Sequence, residues 1–329
     1  MQPAVAAIAI LLMPVAAAAD AGIRSRPPET LAPGVTLLPG AMLPGRGPDG
    51  NTVVFEAPDG LIVIDTGRHA WHSDGILAFA AAGKRPIAAI LNTHWHLDHA
   101  SGNGRIRAKH PAARLYATNA VDRVLAEGGF LARNLEGARA RLAQPDVGAV
   151  EKEEIGLFVQ TLSEREDLRP DVTVGASGSM TIAGRSFELR VTDRAVTEAD
   201  LWLYDAASGI AVIGDLVTLP APFFETACPD QWRTALDEVW AVPFRTVIPG
   251  HGEPMSRGQF DRYRGAFNAF MDCVEGSGEA AQCATAWQSG IAPLLGEDPR
   301  MRAMALEYAE YYVGMLRKNG GKSADCLAR

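Results

Sequence analysis

The chain is short of positive charge, of cysteine and, over one long stretch, of histidine. Lysine and arginine number 31 against 39 aspartates and glutamates, a net charge of -8. That balance argues against a polyanion such as nucleic acid as the main partner and offers nothing to recruit an anionic membrane surface. The apolar run at residues 3–19, PAVAAIAILLMPVAAAA, is too short and too alanine-rich for a comfortable transmembrane helix. No cysteine precedes Cys228, so the run is not followed by a lipid-attachment site. No internal repeat is evident. What is present is an ordinary globular composition. With 329 residues and 47% hydrophobic content the chain can bury a large core, and one large domain, with or without an appendage, is the expectation.

Residues 1–19 read as a secretory signal peptide, uncharged and ending in small residues before Asp20, with cleavage expected after Ala19. No Lys or Arg supports its n-region, and an uncleaved anchor is the alternative. The expected location is periplasmic or secreted, with no stable membrane insertion after cleavage. The four cysteines, Cys228, Cys273, Cys283 and Cys326, are an even number that an oxidising compartment pairs. Cys273 with Cys283 is the expected bridge, because they flank a glycine-containing turn, residues 275–279, between helix-like stretches. Cys228 and Cys326 are the remainder, and pairing or free thiols both stand for them.

Residues 20–34 contain proline and arginine without periodicity and read as an ordered-late or flexible leader, with packing expected from Val35. Val53 to Glu56 and Leu61 to Asp65 read as strands around the turn Ala57-Pro58-Asp59-Gly60. Ser73 to Ala82 suits a helix ended by Gly83, and Ile87 to Leu91 a short strand. After the strand-like Arg114 to Ala117, residues 119–168 read as a helical insertion, broken only at Gln144-Pro145-Asp146. They exceed a simple connection and suit a cover over a cleft that shapes specificity. Alternating runs at Met180 to Ile182, Ser186 to Val191, Leu201 to Tyr204 and Ile210 to Ile213 suit an antiparallel sheet turning at Gly184 and Gly209. Helical patterns at residues 256–273, 279–289 and 299–318 make a C-terminal extension, residues 261–329, packed on the domain of residues 35–260. Tyr308, Tyr311, Tyr312 and Met315 in it read as a core stripe.

The chemistry is concentrated in Leu91 to Gly104, LNTHWHLDHASGNG. Imidazole and carboxylate suit zinc and its first-row neighbours, and histidines at i and i+2 of an extended segment point the same way. His94 and His96 can therefore grip one ion. Asp98 keeps that parity and His99 breaks it, and the turn that follows lets both swing towards a second ion. Unpartnered buried polar groups are costly, so a density of three histidines and an aspartate in seven residues reads as a metal site.

Thr93-His94-Trp95-His96-Leu97-Asp98-His99 resembles the THxHxDH signature of the metallo-β-lactamase fold superfamily, and the resemblance extends from about residue 35 to 260. It implies an α/β fold, a four-layer αβ/βα sandwich, here with a helical insertion and a helical C-terminal extension. It implies that Asp65, in Asp65-Thr66-Gly67, lies beneath the metals and orients their ligands, with Thr93 beside it. Ile213-Gly214-Asp215-Leu216 is similar to the station whose aspartate bridges two metals, and Pro249-Gly250-His251-Gly252 to the one that closes the second site. The implied ligands are His94, His96 and Asp215 for the first ion and Asp98, His99, His251 and Asp215 for the second.

The family also has a third histidine for the first ion, and here no histidine lies between His110 and His251. In the matching stretch, Asp193 to Asp200, the position falls on Val196, or on Arg194 if the loop slips. Three protein ligands plus water suffice for catalytic zinc, so the first site still binds, but the second is expected to be the better occupied of one or two zinc sites. Asp193, Glu198, Asp200 and His69 are candidate substitute donors, and Asp200 otherwise reads as a structural aspartate at strand entry. His69 and His72 follow the D-T-G turn near the expected cleft mouth, as substrate contacts or solvated side chains. His110, before Pro111, reads as structural.

The resemblance implies a secreted zinc-dependent hydrolase of a small-molecule ester, thioester, lactone or amide, a β-lactam included. Metal-activated water would attack, and Asp98 would orient it or pass its proton. The Gly47 to Thr52 and Leu219 to Pro222 segments are most similar to periplasmic metallohydrolases associated with quinoprotein or sulfur-oxidation systems. Two other readings stand beside this one. A glyoxalase-II-like thioesterase shares Asp215 but keeps the third histidine, and a non-catalytic metal- or partner-binding protein of the same fold accommodates its loss.

Overall fold

The computed structural model describes residues 26–327, and the chain divides into two compact units, Met1–Thr173 and Val174–Arg329. The expected signal peptide and the first residues of the leader lie outside the described residues.

The first unit is built on a seven-stranded mixed sheet whose strands lie side by side in chain order. Strands β1 (Glu29–Ala32), β2 (Val35–Leu38), β3 (Thr52–Ala57) and β4 (Gly60–Ile64) form an antiparallel meander. Strands β5 (Ile87–Leu91), β6 (Arg114–Ala117) and β7 (Val172–Thr173) continue it in parallel. Every residue of β4 is buried, as its unbroken apolar run requires of a strand covered on both faces. The leader is corrected here. Residues 29–32 pair with β2, ahead of the expected start of packing at Val35, because Pro33-Gly34, with Gly34 at φ 70°, makes a tight turn that folds them back. With Glu29 and Thr30 exposed and Leu31 and Ala32 half-buried, the four residues leave no periodicity to detect.

Helix α1 (Ala70–Ala82) ends at Gly83 as expected, and two short helices, α2 (Leu97–Ala100) and α3 (Asn103–Lys109), follow β5. Residues 119–168 are largely helical: α4 (Ala120–Leu125), α5 (Phe130–Leu142) and α6 (Ala149–Ser163), with the break between α5 and α6 spanning Gln144-Pro145-Asp146. Because β6 and β7 pair in parallel, with Tyr116 opposite Val172, this insertion is also the crossover that such a pair needs.

The second unit carries a six-stranded sheet: β8 (Gly178–Ile182), β9 (Arg185–Asp193), β10 (Ala199–Asp205), β11 (Ile210–Val212), β12 (Thr246–Ile248) and β13 (Met255–Ser256). The first four are antiparallel as expected. β12 is parallel to β11 because helix α7 (Pro229–Ala241) crosses over between them. Helix α8 (Arg257–Glu275) leaves β13 through a capping box, Ser256 with Gln259, so no boundary falls at residue 260. It continues into α9 (Ala280–Ile291), α10 (Pro299–Lys318) and α11 (Ala324–Leu327).

One apolar cluster joins Trp202 of β10 and Trp232 of α7 to Phe267, Trp287 and Val313 of these helices, so the extension shares the core of this unit. Tyr312 is buried in that core and Tyr308 and Met315 pack against it, but Tyr311 is 41% exposed and bonds Glu225. All four cysteines are paired. Cys273–Cys283 ties α8 to α9, and Cys228–Cys326 ties the start of α7 to α11. Among the described residues no helix is long and apolar enough to cross a membrane.

Candidate metal centre

In the first unit the site begins where β4 and β5 end together. Asp65 stands in the left-handed region at φ 60°, a conformation that aspartate tolerates better than most residues, and its N–H donates to Leu91. The turn aims its carboxylate at the next strand's exit. Oδ1 accepts from Thr93 N at 2.8 Å, and Oδ2 accepts from Thr93 Oγ1 at 2.7 Å and His99 Nδ1 at 2.8 Å. These groups are all buried.

The bonds fix which imidazole nitrogen carries the proton. A carboxylate only accepts, so His99 carries its proton on Nδ1 and keeps the Nε2 lone pair. Thr93 has one hydroxyl proton and gives it to Asp65, so Oγ1 accepts from His94 Nδ1 at 3.0 Å, and His94 likewise keeps its lone pair on Nε2. Asp65 thus sets the tautomer of two histidines. The sequence assigned it and Thr93 an orienting role but no atoms.

The donors of this unit lie together. The His94 ring is 4.4 Å from that of His96 and 4.3 Å from that of His99, and the ligand atoms of His94 and His96 are within 4.8 Å. Asp98 Oδ2 is 3.7 Å from His99 Nε2 and partly exposed. The peptide of His99 is clamped as firmly as its ring, its carbonyl accepting from Thr66 N at 2.7 Å and Asn92 Nδ2 at 3.2 Å. Gly102 closes on the D-T-G turn so tightly that a Cβ there would lie 2.3 Å from the Thr66 carbonyl. The glycine and the turn are therefore one device, which neither tripeptide reveals alone.

The second unit brings Asp215 and His251 together. Asp215 follows β11 in a single 3-10 turn, His251 follows β12, and His251 Nε2 is 3.5 Å from Asp215 Oδ1. Parallel pairing of β11 and β12 is what places the two strand exits at one end. Gly250 packs so closely that a Cβ would meet Asp215 Oδ1 at 1.9 Å. Within each unit the candidate donors are imidazole nitrogens and carboxylate oxygens, the kind that borderline divalent metals take, so the residue types present fit such an ion.

The position expected for the third histidine is apolar. Val196 is 1% exposed and belongs to the second unit's core cluster. Asp200 caps a turn, accepting from Val196 N, Thr197 N and Thr197 Oγ1. Arg194, at φ 59°, bonds Cys326. Asp193 is exposed and Glu198 is buried. Val196→His is therefore expected to bury an imidazole among apolar side chains and to cost about 1–3 kcal/mol of stability. A thermal melt like that of wild type would contradict this.

His69 and His72 are neither solvated nor at an open surface. His69 is 1% exposed, with Nδ1 on Asp49 Oδ2 at 2.9 Å and Nε2 on Glu154 Oε1 at 3.0 Å, so no ring nitrogen is left for a metal or a substrate. His72 Nε2 bonds Thr52 Oγ1 at 2.8 Å, and burial holds its pKa below the usual imidazole range. His110 Nδ1 accepts from Ile87 N at 3.3 Å. Asp49 falls in the Gly47 to Thr52 segment, which the sequence marked only as a whole, and no motif marks Glu154.

Two mixed sheets with helices, and histidines and aspartates at the strand exits, define a class of α/β protein with the donors of a metal centre. The Metallo-beta-lactamase superfamily profile matches residues 45–251, and the chain belongs to that superfamily. The chain is 28% identical over 220 residues to a linear primary-alkylsulfatase of Pseudomonas sp. (strain ATCC 19151). That alignment covers 62% of this chain and 41% of the relative, so the chain matches about two-fifths of the relative's length. Among solved structures it resembles a metallo-beta-lactamase family protein from Thermus thermophilus, with TM-score 0.58, 18% identity and coverage of 88% of this chain and 95% of that one. A beta-lactamase domain protein from Burkholderia ambifaria gives 0.56 and 18%, over 89% and 88%. A metallo-beta-lactamase from Pontibacter korlensis gives 0.54 and 16%, over 74% and 98%. At these identities the likenesses show the fold, which is the expected one.

Proposed function

We propose that the chain is a zinc-dependent hydrolase of a small-molecule ester, thioester, lactone or amide, acting in the periplasm or outside the cell. The observation that carries the reading is the buried Asp65–Thr93–His94–His99 network, which aims two Nε2 lone pairs from neighbouring rings. A buried carboxylate that fixes the proton of one ring nitrogen is the arrangement that orients metal-binding histidines. The proposed ligands are His94, His96, Asp98 and His99 of the first unit and Asp215 and His251 of the second. Zinc suits this imidazole-rich set, and the loss of a donor at Val196 favours occupancy of the site served by Asp98, His99 and His251. When bound, the metal supplies Lewis-acid polarisation and a water acidified towards neutrality. Asp98, with its carboxylate beside His99 Nε2 and partly open, holds and orients that water or carries its proton. Two disulfides favour an oxidising compartment. The alkylsulfatase relative favours extending the ester class to sulfate esters.

The test is metal content per chain with turnover of nitrocefin, a thioester, a lactone, a carboxylic ester and a primary alkyl sulfate. Asp98→Ala and His251→Ala are each expected to lower zinc affinity about 10- to 100-fold and to cut turnover by a similar factor or more. Wild-type metal content and rate in both would overturn the assignment. Tight zinc without turnover of any substrate would favour a non-catalytic metal-binding protein.

A further inference from the structure

Residues 46–51 lie between the helical insertion and the metal-binding loop of the first unit. On one side the backbone of this segment rests on the donors. Gly50 N donates to the Asp98 carbonyl at 2.9 Å, and a Cβ on Gly50 would stand 2.4 Å from His99 Cε1. On the other side a buried charged cluster fastens it to α6. The Glu154 side chain, 1% exposed, accepts from Gly47 N at 3.0 Å, Arg68 Nε at 3.2 Å and Arg46 Nη1 at 3.2 Å, and meets His69 Nε2 at 3.0 Å. Asp49, on the opposite edge of the His69 ring, also accepts from the backbone N–H groups of Arg68 and His69 and from Trp71 Nε1.

Buried ionic networks of this kind contribute little net stability, since desolvation offsets attraction, but they fix relative position, because any displacement strands a charge. The His69 ring can donate to both carboxylates only when both nitrogens carry protons. We propose that Glu154 is a positioning residue which, through His69 and Asp49, holds the Gly47–Asn51 segment against Asp98 and His99 and so sets the geometry of that pair of metal donors. This rests on the reading that Asp98 and His99 bind metal.

Electrostatics agree with the geometry. Burial pulls the His69 pKa down, but bonds to Asp49 and Glu154 outweigh it and the net shift is upward. Burial likewise pushes Glu154 up, yet His69 and Arg68 hold it at about 2. The charged groups facing His69 are Asp49, Glu154, Arg46 and Arg68, with Glu153 paired to Arg46 and the pKa of nearby His72 lowered by burial. A raised histidine pKa means that the lock is intact below the ordinary imidazole range and is lost as pH rises through the elevated value.

The experiment measures zinc affinity by chelator competition, and the visible spectrum of the cobalt-loaded protein, for wild type, Glu154→Gln, Leu162→Ala and His99→Ala. Leu162 is buried on the same helix away from the cluster and reports general loosening of α6. Glu154→Gln is expected to lose about tenfold in zinc affinity and to shift the cobalt bands, while Leu162→Ala keeps both near wild type. Wild-type affinity and spectrum in Glu154→Gln, or an equal loss in Leu162→Ala, would overturn the proposal. If His99→Ala binds zinc as wild type does, the metal-site reading fails instead. Should Glu154→Gln not fold, Trp71→Phe, which removes one bond to Asp49, should show a smaller loss in the same direction, and no change there would overturn the proposal.

Discussion

Asp65→Asn is expected to lower zinc affinity about 10- to 100-fold, the range for groups that orient metal-binding histidines. The substitution is nearly isosteric and asparagine also tolerates the left-handed backbone at this position, so the fold should survive. What changes is one atom. The amide oxygen can still accept from Thr93 N, but an NH2 group would now face His99 Nδ1 and Thr93 Oγ1, both donors to the present Oδ2. To avoid facing donors, His99 must move its proton to Nε2, and the lone pair that a metal needs is lost. Thr93, no longer donating to Asp65, is freed to donate to His94 Nδ1, which moves the second proton to the wrong nitrogen as well. Nitrogen-detected NMR of the imidazoles reads the tautomers directly. Unchanged tautomers together with wild-type zinc affinity would refute the argument.

Gly250→Ala is expected to be at least as damaging to metal binding, by a different route. A methyl carbon there would be 1.9 Å from Asp215 Oδ1, 2.8 Å from the Gly214 carbonyl carbon and 2.9 Å from Asp215 N. Two of those neighbours are backbone and cannot swing away. Gly250 N is also held by the Gly214 carbonyl at 2.7 Å, so relief requires that the Asp215 turn and the His251 segment separate. We expect a zinc affinity lowered about 100-fold or more, with a lower Tm. Gly258→Ala is the control, since nothing lies within 4 Å of a Cβ there and it sits in α8, where alanine is the better helix former. If both variants bind zinc alike, the close approach at Gly250 has no functional weight.

Much of this protein is legible in its sequence because the informative patterns are local. Ile87 to Leu91, Arg114 to Ala117 and Pro299 to Lys318 have the ends the residues suggest, since apolar periodicity and a closing glycine or proline act within a few residues. The spacing of His94, His96, Asp98 and His99 is local too. β1 escaped because a four-residue edge strand, half of it exposed, shows no apolar alternation, and the parallel pairing of β12 escaped because direction depends on how α7 returns the chain.

The sequence by itself determined the superfamily and the strand-and-helix order through the site, and it nominated the candidate metal donors, because each is written in residue types at short spacing. Only the tertiary structure decided what those residues are bonded to. His69 read as a loop histidine, but it is locked between Asp49 and Glu154, the latter 85 residues away. Val196 read as the place of a missing ligand, and it packs in an apolar core. Such pairings depend on how whole elements pack, and no local pattern records which buried charge will find which partner.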